Sequence, residues 1–496
     1  MTLDLNRRQF LTTTLALAAA SGVSPLVPDA VSRAAAATGL ASLIVDRRTI
    51  EVKGKAASVF GLRQPNRTWG LHLDPDQRFR VNLINRSDEA IVIHWHGQTP
   101  PNLQDGVTET GTPLVLVGEM QSYDFAPRAG THWMHSHHGL QEQQLLAAPL
   151  VVRAPDDLRM DVQEVTVLLH DFTFRPPGDV LAELTGNGSH PAMVMPGVTG
   201  GGHAGHMMSE GHAMAGMSTA HGAMDLNDVD YDAYLANDRA LDDPLVVRTE
   251  RHGRVRLRLI NGATSTAFWI DLGAAKGTVI AVDGDPVHPV TGSRFPLAQG
   301  QRVDLVVTMP EAGGAVPVLA QREGDRVRTG IILATPDAPI VKLSDAAESV
   351  AAPVDLSLEQ RLVAQSPLAP RRPDTAFRVT LDGSMMPYVW SIDNRTWANH
   401  RPLRVGGGQR VVLQMLNRSS MAHPMHLHGH HFQVVALNGQ KLQGAMRDTV
   451  LVPQGGLVTV AFDANNPGRW LLHCHNLFHM ARGMMTEIVY SRASSL

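Results

Sequence analysis

The 496-residue sequence contains one cysteine, no block of basic residues and no apolar run long enough to cross a bilayer comfortably. Because Cys474 is the single thiol, an internal disulfide is excluded. The net charge of −4 gives no indication of nucleic-acid binding. The apolar stretch that ends near Ala20 is too short for stable membrane insertion. We therefore expect neither a nucleic-acid partner nor stable insertion of the chain in a membrane.

Glycine and proline are abundant, with 44 and 31 residues, which is typical of a turn-rich all-β protein. The length suits about three domains of ~150 residues. Alternating and apolar runs predict strands at 81–85, 90–96, 148–153, 164–169, 255–260, 303–308, 376–381, 411–416, 432–436 and 469–473.

One pattern of strands occurs three times along the chain. The segments RFRVNLINRS, RVRLRLINGA and RVVLQMLNRS begin at residues 78, 254 and 410 and contain Asn85, Asn261 and Asn417. A second strand follows each asparagine, and a third follows Gly130, Gly314 or Gly468. This repetition predicts three homologous β-domains. The second and third strands carry histidines in the first and last copies, whereas the middle copy has apolar or neutral residues there.

Four histidine pairs lie on these strands, each pair two residues apart. They are His94 and His96, His135 and His137, His426 and His428, and His473 and His475. Residues i and i+2 of a strand share one face and are roughly 6.5 Å apart. A single pair is a weak signal, since it could equally be solvated. Four pairs at matched offsets predict a metal cluster at an interface between two domains.

Cys474 lies between His473 and His475, and alternation along a strand sends its side chain to the opposite side. His479, Met484 and His423 complete two histidines, one cysteine and a weak axial methionine, which is the blue-copper ligand set. The alternative is a small buried residue that happens to be a thiol. We favour a mononuclear electron-transfer site that the segment 473–475 connects to the histidine cluster.

With these motifs the chain resembles the three-domain multicopper oxidases over essentially its whole mature length. The resemblance implies three consecutive cupredoxin-like Greek-key β-sandwich domains and four copper ions. It assigns His423, Cys474, His479 and Met484 to the type 1 copper and His94 and His426 to the type 2 copper. It assigns His96, His135 and His475 to one type 3 copper, and His137, His428 and His473 to the other.

The resemblance also implies the reaction. A reductant gives single electrons to the type 1 copper, Cys474 passes them towards the trinuclear cluster, and dioxygen is reduced there by four electrons to water. Asp105 matches an acidic residue near the cluster in that family, and we expect it to act in catalysis as a general acid. The alternative is a turn residue in the 103–106 loop.

Two positions bear on a second proton donor. Many laccase-like relatives have a glutamate directly after the second type 1 histidine, where this chain has Met480. Glu142 could substitute, but we expect it to be a solvent-facing loop residue.

The N-terminus is typical of an export signal. Arg7 and Arg8 followed by Phe10 and Leu11 resemble a Tat signal, and the alanines at 34–37 resemble a cleavage site. The alternative is a chance arginine pair in an ordinary secretory signal, and both predict a periplasmic protein. The expected boundaries are 1–37 for the signal and 38–155, 156–345 and 346–496 for the domains.

The second domain contains a low-complexity insertion at 189–224 that is rich in methionine and histidine. It includes His206, Met207, Met208, His212, Met214 and Met217. Thioether and imidazole bind Cu(I) and Cu(II), and the intervening glycines and alanines cannot build a core. We expect the insertion to deliver Cu(I) for oxidation in copper tolerance. The alternative is a disordered hairpin without a role in turnover.

Met421 matches a substrate-copper ligand of the cuprous oxidases, although Ser419 replaces its acidic partner. Two other functions stay open. One is a general laccase that oxidises phenols or aromatic amines, and the other is a periplasmic copper-sequestering protein without turnover. We expect a monomer with dioxygen and a small reductant as its partners.

Overall fold

The computed structural model describes residues 40–186 and 226–491. Strands dominate these residues, so the predicted all-β class is confirmed. No helix within the described ranges has the length and apolar character needed to span a membrane. The predicted signal at 1–37 and the insertion at 189–224 lie outside the described residues.

Residues 41–152 form two four-stranded sheets. Their strands are β1 (Ala41–Val52), β2 (Lys55–Arg63), β3 (Leu71–Leu73), β4 (Phe79–Asn85), β5 (Ile93–His96), β6 (Met120–Phe125), β7 (Gly130–Ser136) and β8 (Ala147–Val152). The strand orders are β2-β1-β4-β6 and β3-β8-β7-β5. β5 pairs antiparallel with β7 and places His94 opposite His135. Every residue of both strands is buried, so these histidines point into the molecule.

Residues 163–334 form a six-stranded and a five-stranded sheet. Their strands are β9 (Gln163–Phe172), β10 (Ala233–Ala236), β11 (Val246–Arg248), β12 (Arg254–Asn261), β13 (Phe268–Asp271), β14 (Gly277–Val282), β15 (Asp285–Gly292), β16 (Arg294–Leu297), β17 (Arg302–Thr308), β18 (Ala315–Arg322) and β19 (Arg328–Ala334). The orders are β10-β9-β12-β17-β14-β15 and β11-β19-β18-β13-β16. Ile270 and Leu272 correspond in the repeat to His94 and His96, and both belong to the hydrophobic core.

Residues 375–490 form a seven-stranded and a five-stranded sheet. Their strands are β20 (Thr375–Met385), β21 (Tyr388–Ile392), β22 (Leu403–Val405), β23 (Arg410–Asn417), β24 (His423–Leu427), β25 (Phe432–Leu437), β26 (Gln440–Lys441), β27 (Met446–Arg447), β28 (Thr449–Val452), β29 (Leu457–Asp463), β30 (Arg469–Cys474) and β31 (Met485–Tyr490). The first sheet has the order β21-β20-β23-β29-β25-β26, with β27 also paired to β25, and the second has the order β22-β31-β30-β24-β28. Antiparallel pairing of β24 with β30 places His426 opposite His473.

Helices are short. Within residues 40–186 and 226–491 the α-helices are α1 (Pro177–Leu184) and α2 (Leu477–Ala481), and the 3-10 helices are Asn102–Gln104, Thr108–Thr110, Gln141–Gln144, Asp157–Arg159 and Trp397–Asn399. Asn476 caps α2, because its side-chain oxygen accepts the N–H groups of Phe478 and His479. This cap fixes the turn that carries His479.

The three repeated asparagines make the same contacts in each copy. The Asn85 side chain donates to the Glu89 and Val115 carbonyls at 2.7 and 2.9 Å. Asn261 and Asn417 donate to two carbonyls in the same way. Each also accepts the backbone N–H two residues on, at 2.9–3.0 Å. Each buried side chain thus fixes the turn between the repeated first and second strands.

Candidate metal centre

Cys474 forms a buried triangle with two histidines in the third sheet pair. Its Sγ lies 3.6 Å from Nδ1 of His423 and 3.7 Å from Nδ1 of His479, and the two nitrogens are 3.2 Å apart. A triangle of this size has its centre about 2 Å from each corner, close to metal–nitrogen and metal–sulfur bond lengths. Met484 is fully buried and its carbonyl accepts the Cys474 N–H at 3.1 Å. The four residues of the predicted mononuclear site are therefore neighbours.

The outer nitrogens of the two triangle histidines have different partners. His423 Nε2 lies 2.6 Å from the Ser419 hydroxyl, whereas His479 Nε2 lies 3.1 Å from the Asp228 carboxylate. Asp228 also accepts the Asn476 side-chain N–H at 2.6 Å. Burial raises the pKa of Asp228, but attraction to His479 and these hydrogen bonds outweigh burial and lower it overall. Trp390 stacks on the His479 ring with centroids 3.9 Å apart.

Eight further histidines meet in one buried cluster, supplied by β5 and by β7, β24 and β30, each of the last three with the residue or residues that follow it directly. His94 Nε2 lies 3.4 Å from His426 Nε2, and His428 Nε2 lies 2.9 Å from His473 Nε2. The ring centroids of His137, His428 and His473 are 5.0–5.3 Å apart. Those of His96, His135 and His475 are 5.0–5.6 Å apart. The structure thus brings all four predicted pairs together.

Four ring nitrogens of this cluster are buried and have no hydrogen-bond partner among residues 40–186 and 226–491. They are Nδ1 of His96 and Nε2 of His135, His137 and His475. A buried nitrogen without a partner is costly, and several in one cluster need a common explanation. Metal ions among them would satisfy all four, so the residues present fit a metal cluster.

Burial also sets the charge state of these imidazoles. It lowers the pKa of His96, His135, His428, His473 and His475 well below the usual value, and repulsion from neighbouring imidazoles adds to the effect. The pKa of His137 falls to about 3 for the same reasons. Burial raises the pKa of the Cys474 thiol, so metal binding there has to displace its proton. Neutral imidazoles are the form that binds metal.

Asp105 connects the two outer sheet pairs and is completely buried. Its Oδ2 lies 2.8 Å from His428 Nδ1, and its Oδ1 lies 3.4 Å from His94 Nδ1. Its backbone carbonyl accepts from His94 Nδ1 at 2.8 Å. A carboxyl group in contact with histidines of both segments is more than a turn residue, although its predicted catalytic role stays a prediction.

Glu142 does not face solvent, so that expectation was wrong. The residue is buried, and its Oε2 lies 3.0 Å from His135 Nδ1. The reason is local: the Gln141 side chain accepts from Ser136 and donates to Glu89, and Leu145 then reverses the chain with φ of 61°. The 3-10 helix is therefore held against the cluster. Burial, with the nearby Asp171 carboxylate, raises the pKa of Glu142 well above its usual value.

The predicted substrate-copper residues are placed only in part. Met421 is 3% exposed and packs in the third hydrophobic core. Ser419, which replaces the acidic partner of Met421, instead forms a hydrogen bond with His423. Met480 packs in a small apolar cluster with Val107 and Met485, so no carboxylate takes that place. The remaining predicted ligands lie outside the described residues, namely His206, Met207, Met208, His212, Met214 and Met217.

Sequence patterns missed three residues at this centre: Asp228, Asp448 and Arg302. Asp448 Oδ1 lies 3.0 Å from His96 Nε2, and Arg302 binds both Asp448 oxygens. Burial raises the pKa of Asp448, but Arg302 and His96 hold it well below its usual range. Because these contacts join residues hundreds of positions apart, no local spacing could reveal them.

Multicopper oxidase family models match residues 45–157, 163–335 and 370–494. Multicopper oxidase MmcO of Mycobacterium tuberculosis is 33% identical over 419 residues, which cover 83% of this chain and 79% of that protein. A copper resistance protein A homolog of Pseudomonas syringae is 25% identical over 82% of this chain and 85% of its own length. A crystal structure of a multi-copper oxidase from Pseudomonas thermotolerans matches 91% of this chain and 99% of its own with a TM-score of 0.66 at 23% identity.

The chain belongs to the multicopper oxidase family. It is a copper-dependent oxidoreductase that uses oxygen as electron acceptor, and the family implies four copper ions. The predicted cupredoxin-type fold is confirmed by the solved structure.

Proposed function

We propose that the protein couples one-electron oxidation of a reductant at the Cys474 triangle to four-electron reduction of dioxygen at the histidine cluster. One observation supports this above all: Cys474 belongs to the triangle, while its neighbours His473 and His475 belong to the cluster. Copper bound at the two places supplies one-electron exchange and multi-electron reduction of oxygen. His473, Cys474 and His475 are consecutive in the chain, so the backbone directly connects the triangle to the cluster.

The proposed ligand assignment follows these contacts. The type 1 site takes His423, Cys474, His479 and Met484, and the type 2 site takes His94 and His426. The type 3 pair takes His96, His135 and His475 on one side and His137, His428 and His473 on the other. Support comes from the short nitrogen–nitrogen distances and from the four buried ring nitrogens without a hydrogen-bond partner in the described chain.

The surrounding residues orient the ligands and handle protons. Asp105 and Glu142 approach the outer nitrogens of His428 and His135, which leaves the opposite ring nitrogens for metal. Asp105 also holds a carboxyl group in a buried position, where it can pass protons towards the oxygen site. Ser419 and Asp228 orient the two triangle histidines in the same manner.

The reductant we propose is Cu(I), oxidised as part of copper tolerance. Three observations support it: the similarity to a copper resistance protein, the methionine and histidine content of 189–224, and the Asp228 carboxylate at the edge of His479. The Asp228 side chain is buried against His479, and the field of its negative charge would favour the approach of a cation over that of a neutral phenol. A general laccase activity is the second candidate, since Tyr388 and Trp390 give His479 an aromatic border.

Steady-state oxygen uptake separates these functions. The copper-loaded protein is assayed with Cu(I) and with a dimethoxyphenol, beside a variant that lacks 190–224 and beside Cys474→Ser. We expect a higher kcat/KM for Cu(I), a loss of at least about tenfold on deletion, and loss of blue colour and turnover in Cys474→Ser. Unchanged Cu(I) oxidation after deletion would refute delivery by the insertion. Absence of oxygen uptake with either donor would leave a copper-sequestering protein.

The remaining predictions concern processing and assembly. We propose domain boundaries at 38–155, 156–345 and 346–496, a Tat-type signal over 1–37, periplasmic location and a monomeric state. The bounds of the three sheet pairs support the first of these. N-terminal sequencing of the exported protein and light scattering of the purified protein test the others.

A further inference from the structure

The middle segment forms one wall of the histidine cluster although it supplies none of the proposed ligands. Gly300 is the closest approach: a Cβ atom there would lie 2.8 Å from Cδ2 of His475 and 3.2 Å from Cε1 of His96. Its φ of +78° also favours glycine. The 298–302 turn therefore packs directly against imidazoles of both outer segments.

Arg302 closes this turn and is held from several sides. It is completely buried at the start of β17. Its Nη1 and Nη2 donate to the two carboxylate oxygens of Asp448 at 2.6 and 2.5 Å. Its Nε donates to the Thr131 carbonyl at 3.1 Å, and Nη1 also donates to the Gly300 carbonyl at 3.1 Å. One guanidinium thus joins three parts of the chain.

Asp448 transmits this restraint to the cluster. Its Oδ1 lies 3.0 Å from His96 Nε2 and 3.5 Å from His426 Nδ1, and its backbone carbonyl accepts from His426 Nδ1 at 2.9 Å. Thr449 donates to the same carboxylate oxygen at 2.9 Å. A carboxylate that accepts from Nε2 of His96 leaves Nδ1 as the metal-binding nitrogen, and this is a nitrogen without a partner in the described chain.

The backbone beside His96 packs closely against the Arg302–Asp448 pair. A Cβ atom on Gly97 would lie 2.4 Å from Arg302 Nη2 and 2.9 Å from Asp448 Oδ2. The Arg302–Asp448 pair therefore lies in contact with Gly97, the residue that follows His96. A bidentate guanidinium–carboxylate pair fixes the plane of the carboxylate as well as its position.

We propose that Arg302 is a positioning residue for the trinuclear site, and that the ligand-free middle domain sets the orientation of His96 and His426 through Asp448. The proposal rests on the ligand assignment given above. Partners behind metal ligands typically change metal affinity or activity by 10–100-fold when removed. Arg302 is one contact further away, so we expect about a tenfold loss of copper affinity at the cluster.

The test compares Arg302→Met with Arg258→Met. Arg258 is a control because it is equally buried, lies on the neighbouring strand β12 and binds Thr131, but its carboxylate partners are Asp157, Asp304 and Glu164. Arg302→Met removes the guanidinium that binds Asp448, whereas after Arg258→Met the carboxylates of Asp304 and Glu164 keep Arg256 and Arg153, so the control measures the loss of a buried arginine that has no contact with the cluster. Copper per chain is measured after dialysis against a weak chelator. The type 2 copper is followed by electron paramagnetic resonance, and the blue band serves as internal reference.

We expect Arg302→Met to keep the blue band, to lose cluster copper at about tenfold lower chelator concentration and to show altered type 2 hyperfine splitting. Arg258→Met should resemble the wild type. Equal copper retention in the two variants, or equal loss, would overturn the proposal. If Arg302→Met does not fold, Arg302→Lys is the test variant, because lysine keeps the positive charge but cannot form the bidentate contact with Asp448. An unaltered type 2 spectrum in Arg302→Lys would then contradict the positioning role of Arg302. A wild type that binds no copper refutes the ligand assignment instead.

Discussion

Replacing Asp105 by asparagine tests whether the buried carboxyl group between the outer segments serves oxygen reduction. The substitution keeps the side-chain volume and one accepting oxygen, which can still face His428 Nδ1, now 2.8 Å from Oδ2. The contact to His94 survives because it is made by the Asp105 backbone carbonyl at 2.8 Å. What disappears is the ability of this side chain to take up and release a proton.

The two roles of Asp105 predict different magnitudes. If only a hydrogen bond to a charged group is weakened, the loss is about 1.5–3 kcal/mol, and it should appear as weaker copper binding. If Asp105 supplies protons, loss of general acid catalysis lowers the rate of oxygen reduction by about 10²–10⁴-fold. We expect the second result with copper content unchanged, because asparagine retains the geometry.

Stopped-flow spectroscopy separates the half-reactions. Anaerobic reduction of the blue band by the donor should be the same as in the wild type within about twofold, while reoxidation by dissolved oxygen should slow by the factor given above. Asp124→Asn is the control, since this carboxylate lies on the same sheet pair but is half exposed beside Arg78. Normal reoxidation at full copper content in Asp105→Asn would refute the proton role.

Three further predictions follow from buried titratable groups. The apoprotein should lose stability as pH falls below about 6.5, because burial holds the pKa of His96, His135, His428, His473 and His475 well below the usual value in the folded chain, and that of His137 at about 3, whereas the unfolded chain binds protons; each such group contributes up to ~1.4 kcal/mol per pH unit. A calorimetric midpoint that stays level between pH 7.5 and 5.5 would contradict this. Burial raises the pKa of Glu323 to about 7 from 4.5, so Glu323 costs stability as pH rises through that interval. Glu323→Gln should stabilise the protein by up to about 3 kcal/mol at pH 8 and leave it unchanged at pH 4, and equal midpoints at pH 8 would show the reasoning to be wrong. Because burial raises the pKa of Glu142 and so favours its neutral form, Glu142→Gln should change apoprotein stability by less than about 1 kcal/mol, whereas Glu142→Ala should lower it by about 1–3 kcal/mol by leaving a cavity and removing one of the two groups that contact His135 Nδ1; similar melting curves for the two variants would contradict this interpretation.

The strands and the histidine pairs were predictable because strand alternation is a local property. Each predicted strand lies within or overlaps an observed one, and 90–96 shortens to Ile93–His96 because the turn fixed by Asn85 extends to Glu89 and Ile91 makes only an isolated bridge with Val115. The paired histidines share a face for the same reason, so their convergence could be expected from spacing alone. The three-fold repeat then indicated which strands correspond.

The groups behind the ligands could not be predicted in this way. Asp448 meets His96 across a sequence separation of 352 residues, and Asp228 meets His479 across 251. Such contacts depend on how the sheet pairs pack, and nothing in the neighbouring sequence marks them. Glu142 shows the same limit at short range: its residue type and loop position indicate exposure, but the bonds of Gln141 turn it inward.

The pairing of His94 with His426 has a consequence for biogenesis, since 332 residues separate them along the chain. During synthesis the N-terminal part emerges and folds first. It then presents half of a pocket, with four imidazoles and no counterpart. Only after the final strands have been made and have packed does a complete cavity exist. On the proposed ligand assignment, metal insertion therefore belongs to the last stage of maturation.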